Sequence, residues 1–286
     1  MNIKLSLIYC YLNVIVKILL LSYFCMMLLI DTHTHLYAEE FSTDIQEVID
    51  RAFAADVKYM VIPNVDNTSI LPMLDLSKKY SDNCFPTIGL HPESVKQDYK
   101  SELESMKPWL DKEKFVAIGE IGIDLYWDKT FVNEQKEAFK SQLLWAKEYD
   151  LPVIIHSRNA LNEIIQILND KTFNGIKAVF HCFPGSIEQA IYLTNKGYML
   201  GIGGVVTFKN SGLAKVVKEI PLEYILLETD APYLTPVPYR GKRNESAYIR
   251  NIAEFIAQLR NCSLDEVAET TTKNAMSFFK LPVYNL

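Results

Sequence analysis

Two histidines stand two residues apart in the segment LIDTHTHL, residues 29–36. The apolar residues before them indicate a buried strand, and residues i and i+2 of an extended chain face the same side. His33 and His35 should therefore project together from the end of that strand. Two imidazoles that share one direction are suitable ligands for a transition metal, and the next question is which other side chains join them.

The remaining three histidines and two carboxylates also follow apolar runs. His91, His156 and His181 complete the set of five histidines in the chain, and each comes at or just beyond the end of such a run. Glu120 in AIGEIGID and Asp230 in LLETDAPYL stand at similar positions, each at a strand end. One histidine after a strand is usually a structural residue, but five out of five favour a metal site. The predicted metal ligands are His33, His35, Glu120, His156, His181 and Asp230.

A mixed set of imidazoles and carboxylates suits zinc, manganese or a similar divalent ion such as magnesium, whereas calcium prefers oxygen ligands alone. Six ligands exceed what one catalytic ion needs, because such an ion keeps a position open for water or substrate. We therefore predict two divalent cations about 3.5–4 Å apart, bridged by a carboxylate. His91 lies one step beyond its strand, in a turn fixed by Pro92. We expect it to contact substrate phosphate or bound water instead of serving as a main ligand.

The elements that must position these residues are short apolar runs separated by helical patterns. The runs are nearly continuous, as expected for parallel strands buried on both faces. Helical spacing of apolar residues marks 161–168 and 249–259, and Ser186-x-x-Gln189 and Ser263-x-x-Glu266 predict capping boxes. The eight runs are 27–31, 58–62, 85–89, 114–121, 152–156, 177–181, 197–203 and 222–229.

The spacing of these runs predicts an α/β fold, a (β/α)8 TIM barrel in a single domain. Their ends lie about 22 to 35 residues apart, enough for a helical crossover between parallel strands. Eight such units within about 250 residues are the usual size of this barrel, whose active sites lie at the C-terminal strand ends. The alternative is a doubly wound open sheet, which would not require eight evenly spaced strands.

Residues 1–26 form an apolar N-terminal extension that precedes the barrel of residues 27–286. A cleaved signal peptide, a membrane anchor and a start codon assigned too early are the alternatives for it. No small-residue cleavage site follows the extension, and Lys17 interrupts the apolar run. The five cysteines show no paired spacing, which favours a reducing compartment. We expect a cytoplasmic protein without membrane association.

The net charge of −6 excludes a general basic field that would attract nucleic acid, so phosphate contacts must be local. Arg240, Lys242 and Arg243 cluster in the segment PVPYRGKRNES after the last strand, and Arg158 follows the fifth. We predict that these four residues bind an anionic substrate at the barrel mouth, the C-terminal ends of the strands. The sequence gives no sign of an obligate protein partner. Asp124 and Glu228 are either partners of the metal ligands or ordinary capping and solvated acids.

These residues resemble the TatD family of metal-dependent deoxyribonucleases, which belongs to the amidohydrolase-like superfamily. The likeness extends from Met27 to about Leu281. The matching segments are LIDTHTHL, GLHPE, AIGEIGID, LPVIIHSR, VFHCFPG, GGVVTFKN and LLETDAPYLTPVPYRGKRNE. Departures are the sequence HPE at 91–93, where members often have a second histidine, and the N-terminal extension.

The resemblance implies a (β/α)8 barrel, a two-metal centre with Glu120 as the bridging ligand, and hydrolysis of DNA phosphodiester bonds. We expect an exonuclease in which Asp230 accepts a proton from the attacking water, so that Asp230 and Glu120 are the catalytic residues. An amidohydrolase that cleaves a C–N or ester bond in a small molecule is one alternative. A binding module without catalysis is another, disfavoured because no ligand position is missing.

Overall fold

The computed structural model describes residues 28–282, so the predicted extension of residues 1–26 lies outside the described residues. Within them, eight strands alternate with helices. The strands are β1 (Leu29–Asp31), β2 (Val57–Pro63), β3 (Cys84–Thr87), β4 (Ile118–Asp124), β5 (Val153–Arg158), β6 (Ala178–Phe180), β7 (Met199–Ile202) and β8 (Ile225–Leu227). The α-helices are α1 (Ile45–Ala54), α2 (Ile70–Lys79), α3 (Tyr99–Met106), α4 (Trp109–Lys112), α5 (Val132–Glu148), α6 (Leu161–Leu168), α7 (Ile187–Asn195), α8 (Leu213–Glu219), α9 (Ile249–Arg260) and α10 (Leu264–Phe279).

The strands follow one another in parallel order, as the barrel prediction requires. Strands β1–β3 and β4–β8 form two parallel sheets in which each strand pairs with the next one along the chain. Backbone hydrogen bonds cross the first seam from Gly119 N to Ile88 O (2.9 Å) and the second from Thr32 N to Leu227 O (2.9 Å). The second seam joins the first and last strands. The fold is therefore a (β/α)8 barrel, and the open-sheet alternative is wrong.

Strands β4 and β5 both extend beyond the ends that the sequence predicted, and His156 lies inside β5, two residues before its end at Arg158. The sequence placed Glu120 at the end of its strand, but pairing with β5 continues as far as Asp124 opposite Arg158. Glu120 lies inside β4, where the register shifts between Ile118 and Ile121. Its side chain nevertheless reaches the group at the barrel mouth, where it contacts His33 and His156.

The helix predictions are confirmed, except that only half of one predicted capping box is present. Helices α6 and α9 occupy the two segments with helical spacing, and α9 buries Ile252 and Ile256 completely. Ser186 caps α7 in a complete capping box, with both the Ser186 and the Gln189 side chains bonded to backbone N–H groups. Ser263 accepts a hydrogen bond from Glu266 N at the start of α10, which is half of the predicted box.

The apolar core has two parts. The larger cluster includes side chains of the helices and the strands. The smaller cluster joins side chains from seven of the eight strands, and Ala117 just before β4, to the C-terminal part of α10. In the smaller cluster, Ile30, Val61 and Leu226 from the strands pack in one group with Phe278 and Phe279 of α10. Because apolar groups fill this interior, polar side chains are left to the other end of the strands. No helix within residues 28–282 has the length and apolar content needed to cross a membrane.

Candidate metal centre

Ligand atoms converge from β1, β4, β6 and β8 at the barrel mouth. His33 Nε2 lies 3.3 Å from His35 Nε2 and 3.1 Å from Glu120 Oε2. Asp230 Oδ1 is 3.8 Å from His33 Nε2 and 3.6 Å from His35 Nε2. His181 Nε2 lies 3.7 Å from Asp230 Oδ1 and 3.8 Å from Glu120 Oε1. All five predicted ligands named here are therefore brought together.

A second group forms around the other oxygen of Glu120. Glu120 Oε1 is 2.7 Å from His156 Nδ1 and 3.4 Å from His91 Nε2. The two histidine nitrogens are 3.3 Å apart. His91 Nδ1 accepts a hydrogen bond from Glu93 N, which leaves Nε2 directed at this group. These distances allow His91 to bind a metal directly, so its assignment to substrate or water stays a prediction.

The spacing of the donor atoms fits a metal ion. Tetrahedral coordination with bonds of about 2.1 Å holds ligand atoms about 3.4 Å apart. The distances between the converging atoms of His33, His35, Glu120 and Asp230 range from 3.1 to 3.9 Å. His33, whose Nε2 lies at the centre of this group, is completely buried. Buried nitrogen and oxygen atoms aimed at a common point are the arrangement that a zinc-type ion requires.

Two acids that the sequence left open contact predicted metal ligands. Asp124 Oδ2 lies 2.9 Å from His156 Nε2, on the ring nitrogen that faces away from Glu120. Glu228 Oε1 lies 3.1 Å from His181 Nδ1 and also accepts a hydrogen bond from Cys182 N (2.6 Å). A carboxylate at the outer nitrogen of a metal-binding histidine fixes the ring and raises its basicity. Asp124 and Glu228 both occupy that position.

Glycines make room for these contacts. Gly122 has φ +154°, and a Cβ there would lie 2.0 Å from the carbonyl oxygen of His156. A Cβ on Gly201 would lie 2.3 Å from Glu228 Oε2. Gly201 begins the segment GIGGV, whose glycines superficially suggest a dinucleotide loop. Its role in the structure is to admit the Glu228 carboxylate beside His181.

Asp31 is a supporting residue that the sequence did not single out. It is completely buried, and its carboxylate accepts hydrogen bonds from His33 N (3.3 Å), Thr229 N (2.9 Å) and Thr229 Oγ1 (2.6 Å). Burial raises the pKa of Asp31 to about 7 despite the hydrogen bonds from Thr229. Asp31 therefore ties the end of β1 to the end of β8. Its position just before Thr32 and His33 was the available signal.

The charges in the cluster set its protonation before metal binds. Burial opposes charge on His156, but hydrogen bonds to Asp124 and Glu120 raise its pKa to about 9. Burial likewise opposes charge on His181, and the carboxylates of Glu228 and Glu120 raise its pKa to about 10. Burial works against ionisation of Glu120 as well, yet the charges of His33, His91 and His181 hold its pKa well below the usual range. The cluster thus carries protons on two predicted ligands at neutral pH.

The four basic residues predicted to bind substrate differ in their surroundings. Arg240 and Lys242 are exposed, and the Arg240 guanidinium lies 3.8 Å from the ring centroid of Phe208. Arg243 donates to both oxygens of Asp44 (2.8 and 2.7 Å) and to Glu245 (3.0 Å). Arg158 is exposed at the end of β5. The guanidinium of Arg243 is thus already paired, and its contribution to substrate binding stays a prediction with less support than those of the other three.

Comparison with known proteins decides the family. The family profile described as "TatD related DNase" matches residues 30–280. The chain belongs to the TatD family. It is 42% identical over 255 residues to the uncharacterized metal-dependent hydrolase YabD of Bacillus subtilis, with 89% of this chain and 100% of YabD covered. It is 33% identical to YcfH of Escherichia coli, which is also described as a metal-dependent hydrolase, with 91% of this chain and 98% of YcfH covered.

Solved structures of TatD-family proteins share the fold. The crystal structure of YjjV, a TatD homologue from Escherichia coli, matches with a TM-score of 0.84 at 32% identity, covering 91% of this chain and 100% of YjjV. A TatD-family hydrolase from Entamoeba histolytica matches with a TM-score of 0.76 at 25% identity, covering 88% of this chain and 98% of that one. The protein is a metal-dependent hydrolase of the TatD family, as the sequence predicted.

Proposed function

We propose that the protein hydrolyses phosphodiester bonds of DNA and that two divalent cations assist the reaction. The observation that carries the proposal is the position of Glu120, whose two oxygens face different groups. Oε2 lies 3.1 Å from His33 Nε2, and Oε1 lies 2.7 Å from His156 Nδ1. A carboxylate shared in this way suits a pair of ions, and paired ions are a common arrangement in enzymes that cleave phosphate esters. The description of the matching family profile as a DNase supports the choice of DNA.

The predicted metal ligands lie on two sides of Glu120. His33, His35 and Asp230 would hold one ion, and His156 would hold the other, while His181 lies within 3.8 Å of both carboxylates. Magnesium, manganese and zinc all accept such ligands. When bound, the ions would polarise the phosphate oxygens and lower the pKa of the attacking water.

Asp230 would accept the proton of that water. Its side chain is 16% exposed, against 3% for Glu120, so Asp230 is the more accessible of the two cluster carboxylates. Burial opposes ionisation, but the His35 imidazole 3.6 Å away and the charge of His181 lower the pKa of Asp230. The residue is therefore ionised at neutral pH and able to take up a proton. Its backbone is fixed by the hydrogen bond from Asp230 N to His33 O (2.9 Å).

Phosphate recognition would depend on the exposed basic groups near the mouth. Because the net charge is −6, long-range attraction does not draw DNA to the protein as a whole. Arg158 extends from the end of β5 two residues after His156, and Arg240 and Lys242 extend from the loop after β8. These groups would contact phosphates on either side of the scissile bond, and affinity should fall as salt concentration rises.

The experiment is a side-by-side assay of single-stranded DNA, duplex DNA and RNA with protein reconstituted in magnesium, manganese or zinc. Strands labelled at the 5′ or the 3′ end distinguish exonuclease from endonuclease products and give the polarity. Asp230→Asn, purified in the same way, controls for a contaminating nuclease. We expect metal-dependent cleavage of DNA by wild type alone. Absence of DNA cleavage with every metal would show that the natural substrate belongs to another class.

A further inference from the structure

Two exposed aromatic residues lie together beside the metal centre. Tyr126 and Trp127 come two and three residues after the end of β4 and are 52% and 65% exposed. Their rings meet edge to face with centroids 4.7 Å apart. The guanidinium of Arg158 lies 3.9 Å from the Tyr126 centroid and 5.1 Å from the Trp127 centroid. We call these three residues the aromatic ledge.

The aromatic ledge is tied to the metal ligands by one side chain. Asp124 Oδ1 accepts hydrogen bonds from Tyr126 N (2.8 Å) and Trp127 N (3.4 Å), while Asp124 Oδ2 lies 2.9 Å from His156 Nε2. On the neighbouring strand, Arg158 O accepts a hydrogen bond from Leu125 N (2.9 Å). The ledge is therefore held at a fixed distance from the centre.

The cleft beside the ledge has apolar walls from Trp127 and Phe131. Its charged lining is mostly acidic: Glu93, Asp124 and Asp128 outnumber the single lysine, Lys96, whose ammonium lies 5.6 Å from the Phe131 ring centroid. Carboxylates repel the DNA backbone but tolerate a neutral base, and an aromatic face offers stacking to any base. Arg158, at the edge of the ledge, would neutralise a phosphate of the same nucleotide. An exposed tryptophan buries little apolar surface in the core, and binding of a ligand would explain why it stands here.

Resting on the proposed function, we propose that the aromatic ledge is a stacking subsite for an unpaired nucleobase adjacent to the scissile phosphodiester. Inside a duplex both faces of a base are covered by its neighbours, so the face that stacks on Trp127 must come from a single strand or a frayed end. The ledge would thus select unpaired DNA at the active site. Sequence preference should be weak, because every base has an aromatic face.

The test compares two substrates with each variant. One is a single-stranded oligonucleotide, and the other carries tetrahydrofuran abasic residues on both sides of the scissile bond. The measured quantity is the ratio of kcat/KM for the base-containing strand to kcat/KM for the abasic strand. Trp127→Ala should lower this ratio about 5- to 100-fold, and Trp127→Phe should restore part of it. Tyr192→Ala, which removes a 38% exposed tyrosine from α7, is the matched control and should leave the ratio unchanged.

A binding measurement separates this inference from the proposed function. The chain has three tryptophans, and stacking of a base should quench the fluorescence of Trp127. We expect the oligonucleotide to quench the Asp230→Asn protein and to quench Asp230→Asn/Trp127→Phe much less. An unchanged ratio in Trp127→Ala, or equal quenching in both proteins, would overturn the stacking subsite even if DNA is cleaved. Failure of wild type to cleave either strand would instead overturn the proposed function, while the quenching result would still decide the subsite.

Discussion

The metal centre and the basic loop, residues 236–246, hold their charges in opposite ways. In the metal centre, the side chains of His33 and Glu120 are 0% and 3% exposed, and each charged group faces several others. In the basic loop, Arg240 and Lys242 are exposed, and they lie over aromatic rings. Buried charges require partners at fixed distances, whereas exposed charges are solvated and act through a screened field. Substitutions in the metal centre should therefore reduce turnover or metal affinity far more than substitutions in the basic loop reduce DNA binding.

The largest effect is expected from Asp230→Asn. Asparagine preserves the shape and one oxygen ligand but cannot accept a proton at neutral pH. Turnover should fall by about 10²–10⁴-fold, the usual loss for a positioned general base, while the fold and most DNA binding persist. Single-turnover kinetics and DNA binding measured on the same sample check this. Cleavage at the wild-type rate would show that Asp230 is not the base.

Metal affinity should depend steeply on pH. His156 and His181 have pKa values raised to about 9 and about 10, so both are protonated in the metal-free protein at pH 7 and must lose their protons to bind metal. Affinity should then rise about 10- to 100-fold for each pH unit between pH 6 and pH 8 and level off above the higher pKa. Calorimetry in buffers of different ionisation enthalpy measures the released protons. No proton release at pH 7 would contradict the assignment of these ligands.

Asp124→Asn tests the outer partner of His156. Loss of its charge should lower metal affinity about 10- to 100-fold, because the histidine loses the carboxylate that orients it. Glu228→Gln should act similarly through His181. Asp128→Asn provides the matched control. Asp128 is exposed, and its carboxylate accepts a hydrogen bond from Thr130 N instead of contacting a histidine. If Asp124→Asn and Glu228→Gln bind metal as tightly as Asp128→Asn, neither acid orients its histidine, and both serve only as capping residues.

His91→Ala should leave metal content close to wild type while turnover falls about 10-fold, the expected loss of one hydrogen bond to a charged group. The remaining ligands of the second group, Glu120 and His156, are unaffected by the change. Metal analysis of the dialysed protein is the measurement. Loss of a full equivalent of metal would instead make His91 a ligand, which the 3.4 Å distance to Glu120 Oε1 permits.

The smallest effects should come from the basic loop, whose residues should fall into two groups, one affecting DNA binding and one affecting stability. Arg240→Ala and Lys242→Ala should weaken DNA binding a few-fold and each reduce the slope of log affinity against log salt by about 0.7–0.9. Arg243→Ala should act on stability, lowering the thermal midpoint by about 2–4 °C for a loss of roughly 1 kcal/mol. Salt titrations and thermal melts of the three variants separate the two roles. A salt slope that changes only in Arg243→Ala would reverse this division.

Much of the fold was predictable because each strand carries its own local signal. Apolar runs bounded by helical patterns located all eight strands, and their regular spacing indicated the barrel. The extent of β4 was not predictable, since Gly122 and Asp124 look like the start of a loop when read along the chain. Their strand conformation depends on pairing with β5, which joins Asp124 to Arg158.

The candidate ligands were also predictable, because parallel strands end at one rim and the chain places every histidine near such an end. Residue types and order alone thus determined the fold class, the family and the six predicted metal ligands. Only the tertiary structure decided which groups act in pairs. Asp124 meets His156, Glu228 meets His181, and Arg243 is paired with Asp44, which lies 199 residues away in sequence. Such contacts depend on side-chain direction and on the close approach of separate strands and loops, and no local pattern in the sequence records either of these.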